Sequence, residues 1–565
     1  MRTFCFCLVA FLLCAIAPSL LYAEKDQRQA VLDAMQEELK RSMDGLYIEG
    51  YEKPYFISYQ LKHTRSSSIE ARYGSIFNSG ERTHAEIYVE VRVGSYELDN
   101  SGKETFDFFF SQSIPPDPSA PLDNELTALK TALWISTDNC YKKAVSDYLQ
   151  RKGKKIYEAE DKKIGSFSRE EKSVFSAAPT VFNFDSNEWE RRTKEISMLF
   201  KEHPHVLQSK VLIKAESITR YQVNSEGTRI VDDDVIFNLM TEGISKAEDG
   251  MLLDNHRTYY AEDTEHMPSM QTIKKETLEM IAELEALRKA PALDPYTGPA
   301  ILDAQAAGVL FHEAVGHRLE GERQDDEEEG RTFKGQIGQP ILPEFLDLID
   351  DPTMKYFGDI GLNGHYEFDD EGVKAQKVAL VEKGILKNFL MSRSPIEGVA
   401  QSNGHGRASS NRKPAARMGN TMLLSHRTLK YDDLKKRLLE LIKEQKKPYG
   451  LIVSDMDGGS TNTSTYGYQA YKGIPRIVLR VFPDGREELV RGVELVGTPI
   501  ASINKILATS DTSDVFNGYC GAESGYVPVS AIAPAILLEE LELQRKKEEK
   551  ERLPILPSPF NGAEK

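Results

Sequence analysis

The chain has 565 residues, a formal charge of −17, and 40% hydrophobic and 28% charged residues. That length exceeds one domain and predicts two. The acidity excludes the basic face that phosphate-backbone binding needs, so no nucleic-acid partner is expected.

Residues 1–23 read as a secretory signal peptide. Arg2 precedes an apolar run from Phe4 to Ala17, and Ala23 stands just before charged sequence. The run is short for a transmembrane segment, and no later segment would span a membrane. The expectation is an exported, soluble protein, periplasmic or secreted. Removing residues 1–23 takes away Cys5, Cys7 and Cys14 and leaves Cys140 and Cys520. Two cysteines are no disulfide framework. They allow one Cys140–Cys520 bridge in an oxidising compartment, or a metal-ligand role for one of them.

The sequence that follows opens on an amphipathic helix, with Val31, Met35, Leu39 and Met43 at helical spacing. Three strand-like runs come next: PYFISYQLKH, SIEARYGSIF and the alternating HAEIYVEVRVG. A helix is predicted over 123–150. Strands return over 209–243, where NSEG reads as a hairpin turn, and a charged helix over 269–290 closes this part. Residues 24–296 thus read as an α+β domain with an antiparallel sheet and flanking helices. APALDPYTGP marks a boundary. Residues 297–545 read as a second domain, mostly antiparallel β, with a metal-binding helix at its start. Residues 546–565 read as a charged, frayed tail. The acidic DDEEEG from Asp325 reads as a solvated loop, and DMDGGST around Asp455 as a turn lacking the glutamate of a calcium loop. His203 and His205, in EHPHV, have metal-compatible spacing but read as an exposed loop.

LFHEAVGHRLEGER, from Leu310, carries the chemistry. The common helical zinc motif spaces its histidines four apart; His312 and His317 are five apart, with Glu313 between. On a regular helix, residues four apart differ by about 40° around the axis and residues five apart by about 140°. Convergence therefore requires a π-bulge or a helix that ends near Gly316 so that His317 curls back. Glycine within a helix costs about 1 kcal/mol relative to alanine, so Gly316 marks a backbone that must deform. A hydrolytic zinc site takes three protein ligands and a water. Glu313 holds the place of the general base. The third ligand comes from among Cys520, His365, His405, Glu320 and Asp455. Cys520 lies in the glycine-flanked VFNGYCGAESGYVPVS, where the backbone can approach a site closely. His365, His405, Arg407 and Arg412 are candidates to face substrate, against structural or surface roles. Glu320 and Glu322 are candidates to orient a histidine.

ILDAQAAGVLFHEAVGHRLEGER together with NGYCGAESGYVPVSAIAPAILLEELEL resembles the TldD/PmbA family of metallopeptidases. GLNGHYEFDDEGVKAQKVALVEKGILKNFLMSRSP and EELVRGVELVGTP are similar to further parts of that family's C-terminal domain, and LWISTDNCYKKAVSDYL is similar, more loosely, to its N-terminal half. One branch of the family holds zinc on the histidine pair and the late cysteine; the other lacks them and serves as a partner subunit. His312, Glu313, His317 and Cys520 are all present here. The resemblance therefore implies the catalytic branch, with one zinc per chain on His312, His317 and Cys520, and Glu313 as general base. It also implies extended, unfolded peptides bound by strand addition, and a homodimer or a paralogous partner subunit. A thiolate ligand suits zinc better than magnesium or manganese. The expected function is an exported zinc metallopeptidase. The alternatives are a non-catalytic peptide-binding subunit and a hydrolase with Cys520 as nucleophile.

Overall fold

The computed structural model describes residues 27–101, 118–123, 125–155, 164–326, 328–409, 411–464, 470–497, 499–547, 551–556 and 558–562. The expected signal peptide lies outside them. Helix α1, over 27–45, buries Val31, Leu32, Met35 and Leu39 in a core with Ile57, Leu61, Ile87 and Val91 of the first sheet. Each such burial contributes about 1.5–3 kcal/mol.

That sheet begins with a long antiparallel pair, β1 (Pro54–Arg72) and β2 (Ser75–Val93). The turn between them puts Tyr73 and Gly74 at positive φ, 48° and 79°. The sequence pattern divides this pair into three runs. The structure joins them, because β1 is hydrogen-bonded on both sides and the ladder carries it through the polar stretch Thr64–Ser68. Next come α2 (Leu126–Lys155), β3 (Val174–Ser176), α3 (Ser186–Met198), β4 (Gln208–Asn224), β5 (Arg229–Lys246), β6 (Leu252–Ala261) and α4 (Met270–Lys289). Caps fix the two later helices: Asp185 accepts from the Glu188 amide at 3.0 Å, and Ser269 from the Thr272 amide at 3.1 Å. The strand order is β2-β1-β4-β5-β3, with β6 also on β5. The β4–β5 hairpin turns at the expected NSEG, with Gly227 at φ 101°.

The second part contains β7 (Tyr296–Leu302), α5 (Ala304–Ala314), β8 (Leu346–Asp350), β9 (Val378–Glu382), β10 (Ile385–Leu386) and β11 (Asn420–Ser425). It continues with α6 (Tyr431–Glu444), β12 (Gly450–Thr461), β13 (Tyr471–Val481), β14 (Val493–Gly497), β15 (Ile506–Ala522) and β16 (Gly525–Arg545). Its main sheet runs β10-β9-β8-β11-β16-β14-β13-β12-β7, and β7 pairs back onto β16. Strands β16, β14, β13, β12 and β7 thus close on themselves. Helix α5 is buried from Ala306 to Ala314, and its Leu310 and Phe311 share a core with Val453, Leu495 and Ile536. The fold is α+β, as the pattern of elements predicts. DMDGGST lies in strand β12 rather than a turn, paired with β13.

Ion pairs tie the two parts together: Lys62 to Asp370 at 2.7 Å, Arg393 to Glu226 at 2.8 Å, and Arg491 to Asp249 at 3.1 Å. The tail is not simply frayed. The Glu551 amide donates to Gly250 O at 3.1 Å, its carboxylate pairs with Lys246 at 2.6 Å, and Phe560 lies 5.0 Å from the Tyr73 ring. Among the described residues, no helix is long and apolar enough to cross a membrane.

Candidate metal centre

Helix α5 ends at Ala314, and a 3-10 turn over Gly316–Leu319 follows. His312 belongs to the helix and His317 to the turn. Their rings meet edge to face, 5.0 Å apart at 85°. Of the two ways to converge, the chain uses the helix end. Arg318 helps fix it: its Nη1 donates to the carbonyls of Glu313 and Ala314 at 3.0 and 3.2 Å. These are carbonyls that a terminating helix leaves without partners. Gly316 has a different purpose from the expected one. It is not among the positive-φ glycines; a Cβ there would lie 2.1 Å from Met418 Sδ. It is a matter of space, not of backbone freedom.

Cys520 arrives from β15, opposite Val527 of β16. Its Sγ lies 3.3 Å from His317 Nε2. One donor atom from each of His312, His317 and Cys520 falls within 4.8 Å of the others, and all three residues are buried. Two imidazole nitrogens and a thiolate are a donor set that suits zinc. Burial alone would push the Cys520 thiol up, but His312 and His317 outweigh it and bring it down to about 4. The sulfur is therefore a thiolate, as ligation requires.

A second layer orients this tripod. His317 Nδ1 lies 3.0 Å from Glu320 Oε2. An ionised carboxylate only accepts, so Nδ1 carries a proton toward Glu320 and the ring is oriented with Nε2 toward Cys520. Burial would raise the Glu320 carboxyl, yet His317 and Arg323 hold it well below the usual range. Arg323 donates to it at 2.7 Å. Arg417, fully buried, reaches both sides of the centre. Its Nε is 3.5 Å from Glu320 Oε1, its Nη2 donates to Cys520 O at 2.7 Å, and its Nη1 donates to Gly525 O at 3.0 Å.

Glu313 follows His312 on α5 and is 8% exposed. Burial raises its carboxyl, and His312 and His317 pull the other way; the net shift is upward. Strand β12 passes so close that a Cβ on Gly459 would lie 2.5 Å from Glu313 Cγ. All four residues face a cavity of about 1290 Å³. Its other wall comes from the first part of the chain and includes His256, Tyr259 and Tyr260 of β6.

The remaining candidates separate clearly. His365 lines the cavity, with Nδ1 2.9 Å from Pro352 O. Arg407 lines it too, but its guanidinium donates to its own chain, to Met418 O at 2.5 Å and Pro528 O at 2.8 Å. His405 does not face the cavity, contrary to expectation. It is 0% exposed, with Nδ1 3.0 Å from Asn403 O and Nε2 3.2 Å from Asp350 Oδ1. Asp455 pairs with Arg476 at 2.7 Å. Glu322 bonds Ser392 and the Ala416 amide rather than a histidine. Arg412 donates to Glu523 O at 3.3 Å. No disulfide joins Cys140 to Cys520; both are unbridged, and Cys140 sits on α2 against Val89 O. Sequence reasoning missed Arg318, Arg417 and Gly459. A basic residue just past a helix end was a usable signal for the first. Arg417 had none.

Residues 295–545 match the model of the PmbA/TldA metallopeptidase C-terminal domain. A protein of Archaeoglobus fulgidus named a metalloprotease is 32% identical over 250 residues, 44% of this chain and 53% of the relative. A protein of Saccharolobus solfataricus named a zinc metalloprotease TldD homolog is 30% identical over 247 residues, 43% of this chain and 51% of the relative. The chain thus spans about half the length of the curated relatives it matches. The crystal structure of TldE from Thermococcus kodakarensis superposes with a TM-score of 0.58 at 14% identity, covering 90% of this chain and 100% of that one. That likeness is one of fold, and it extends beyond the matched domain. The matched domain, residues 295–545, carries all four residues of the centre and is similar to the C-terminal domain of the PmbA/TldA metallopeptidases.

Proposed function

We propose that the chain is a zinc-dependent peptidase that cleaves extended, unfolded peptides in the cavity between its two parts. The observation that carries this reading is the convergence of His312, His317 and Cys520 beside Glu313 on the cavity wall. The names of the relatives support it. When bound there, zinc supplies a Lewis acid that polarises the scissile carbonyl and acidifies water.

The chain's own residues do the rest. Glu313 takes the proton of the attacking water and hands it to the leaving amine. Its upward shift brings its pKa closer to working pH, where a general base is most effective. Glu320 keeps the His317 proton on Nδ1. Arg417 holds the Cys520 backbone in place.

The low thiol pKa also favours a second reading, with Cys520 as nucleophile and a histidine as base. One experiment separates the two. Hydrolysis of an unstructured, casein-like protein by the full chain should stop on chelation and return with zinc. Glu313→Gln should bind zinc as wild type does while losing about 10²–10⁴-fold in kcat. Full activity in the metal-free protein, blocked by alkylation, would establish the thiol reading and reject the zinc one.

A further inference from the structure

We infer that His203, His205 and Glu285 form a second zinc-binding site, in the first part of the chain and away from the cavity. One donor atom of each falls within 4.8 Å of the others. None of the three is among the residues lining the cavity. The site is independent of the peptidase reading.

The two histidines flank Pro204 in the turn that leads into β4, and that turn is held in place. The His203 amide donates to Phe200 O at 3.2 Å, the Val206 amide to His203 O at 2.9 Å, and Ser245 Oγ to His205 O at 2.6 Å. Pro204 fixes its own φ. Phe200 and Val206 are buried at either side of the turn. The imidazoles are therefore presented by a backbone with little freedom to lose. Their rings stand 5.7 Å apart at 84°. Glu285 comes from a different element, α4, with Oε2 3.9 Å from His205 Nε2. Its other oxygen is held by Lys289 at 3.1 Å.

An unsatisfied atom points to a ligand. His205 Nε2 is buried and has no hydrogen-bond partner, and the great majority of buried polar side-chain atoms have one. Two imidazoles and a carboxylate are a familiar zinc donor set, with bonds of about 2.0–2.2 Å. Tetrahedral bonds of that length put donors roughly 3.3–3.5 Å apart, so side-chain rotation of under about 1 Å would close the site. Arg288 and Lys289 oppose a dication here, and the site has no thiolate. It should bind zinc more weakly than the Cys520 centre. Its effect would be mechanical: it would join the turn before β4 to α4.

The test is zinc titration of the metal-free full chain, with bound metal counted directly. Two equivalents per chain are expected, one tight and one weaker. Cys520→Ala should keep the weaker one. The double variant His203→Ala/His205→Ala should lose it and keep the tight one, with unchanged melting in chelator. In the Cys520→Ala background, zinc at a hundredfold excess over Kd should raise the melting temperature by about 2 °C, and adding the histidine substitutions should abolish that rise. Glu285→Gln, on a half-exposed helix position, keeps the experiment decisive if the double variant fails to fold, and should weaken the second equivalent at least tenfold. Retention of two equivalents in the variants, or a single equivalent in wild type, would overturn the inference.

Discussion

The two walls of the cavity are built differently. On the wall from residues 295–545, the groups suited to chemistry are buried and braced: His317 by Glu320, Glu320 by Arg323, and Cys520 through Arg417. On the facing wall, His256, Tyr259 and Tyr260 of β6 are only half-buried. The braced wall is also the one that the family model matches, whereas the 14% likeness that extends to the other shows fold alone. The contrast fits the proposed peptidase: reaction geometry tolerates little displacement and would draw on buried hydrogen bonds, whereas a wall that held an extended peptide would rely on backbone and could vary its side chains.

The most severe way to break the braced wall is to remove a ligand. Cys520→Ala should reduce peptide hydrolysis to background and lose the tight zinc, by metal count, without unfolding the chain. Hydrolysis at a wild-type rate would show that the thiolate is not part of the centre. A step further out, Glu320→Gln leaves every ligand in place but replaces a carboxylate with a neutral amide against His317 Nδ1. Outer partners of this kind are worth about 10–100-fold in metal affinity. Competition with a chromophoric chelator should show a loss in that range; an unchanged affinity would reduce Glu320 to a packing residue. Smaller still, Gly459→Ala would press a methyl group against Glu313 Cγ. About a tenfold fall in kcat is expected with zinc affinity untouched. A parallel fall in both would place the damage at the ligands instead.

Most of this architecture could be read in the chain, and the exceptions have physical reasons. His312, Glu313 and His317 are near neighbours in sequence, so their geometry could be argued from helical angles alone. Cys520 needed the resemblance, because the register that sets it beside His317 depends on a sheet closed by β16. His405 could face substrate or be structural on the sequence alone; its contacts with Asn403 and Asp350 in the interior make it structural. The β1–β2 pair misled because polar residues hide a strand whose neighbours on both sides supply its hydrogen bonds. Arg417 was unreadable, since only the folded chain shows that one guanidinium spans two ligand-bearing segments.

The gentlest test asks whether the two walls are coupled. His256 crosses the cavity from β6. Its Nδ1 accepts from Arg476 Nη1 at 2.5 Å and lies 3.5 Å from Asp457. Burial and then the Arg476 charge lower its pKa from 6.5 to about 4. Between those two values the unfolded chain binds a proton that the folded chain does not. The stabilisation is thus complete above pH 6.5 and is lost as pH falls toward 4. The full shift would be worth about 3 kcal/mol, and with the side chain 23% exposed about 2 kcal/mol is the reasonable expectation. His256→Gln keeps an acceptor for Arg476 but cannot titrate. At pH 7.5 its melting temperature should stay close to wild type. From pH 6.5 to 4 it should fall less steeply, with the two curves separating by about 2 °C. Parallel curves would mean that the His256 contact opens before the rest of the fold, leaving the walls free to move apart. Separating curves would mean that the contact between the walls is part of the cooperative structure.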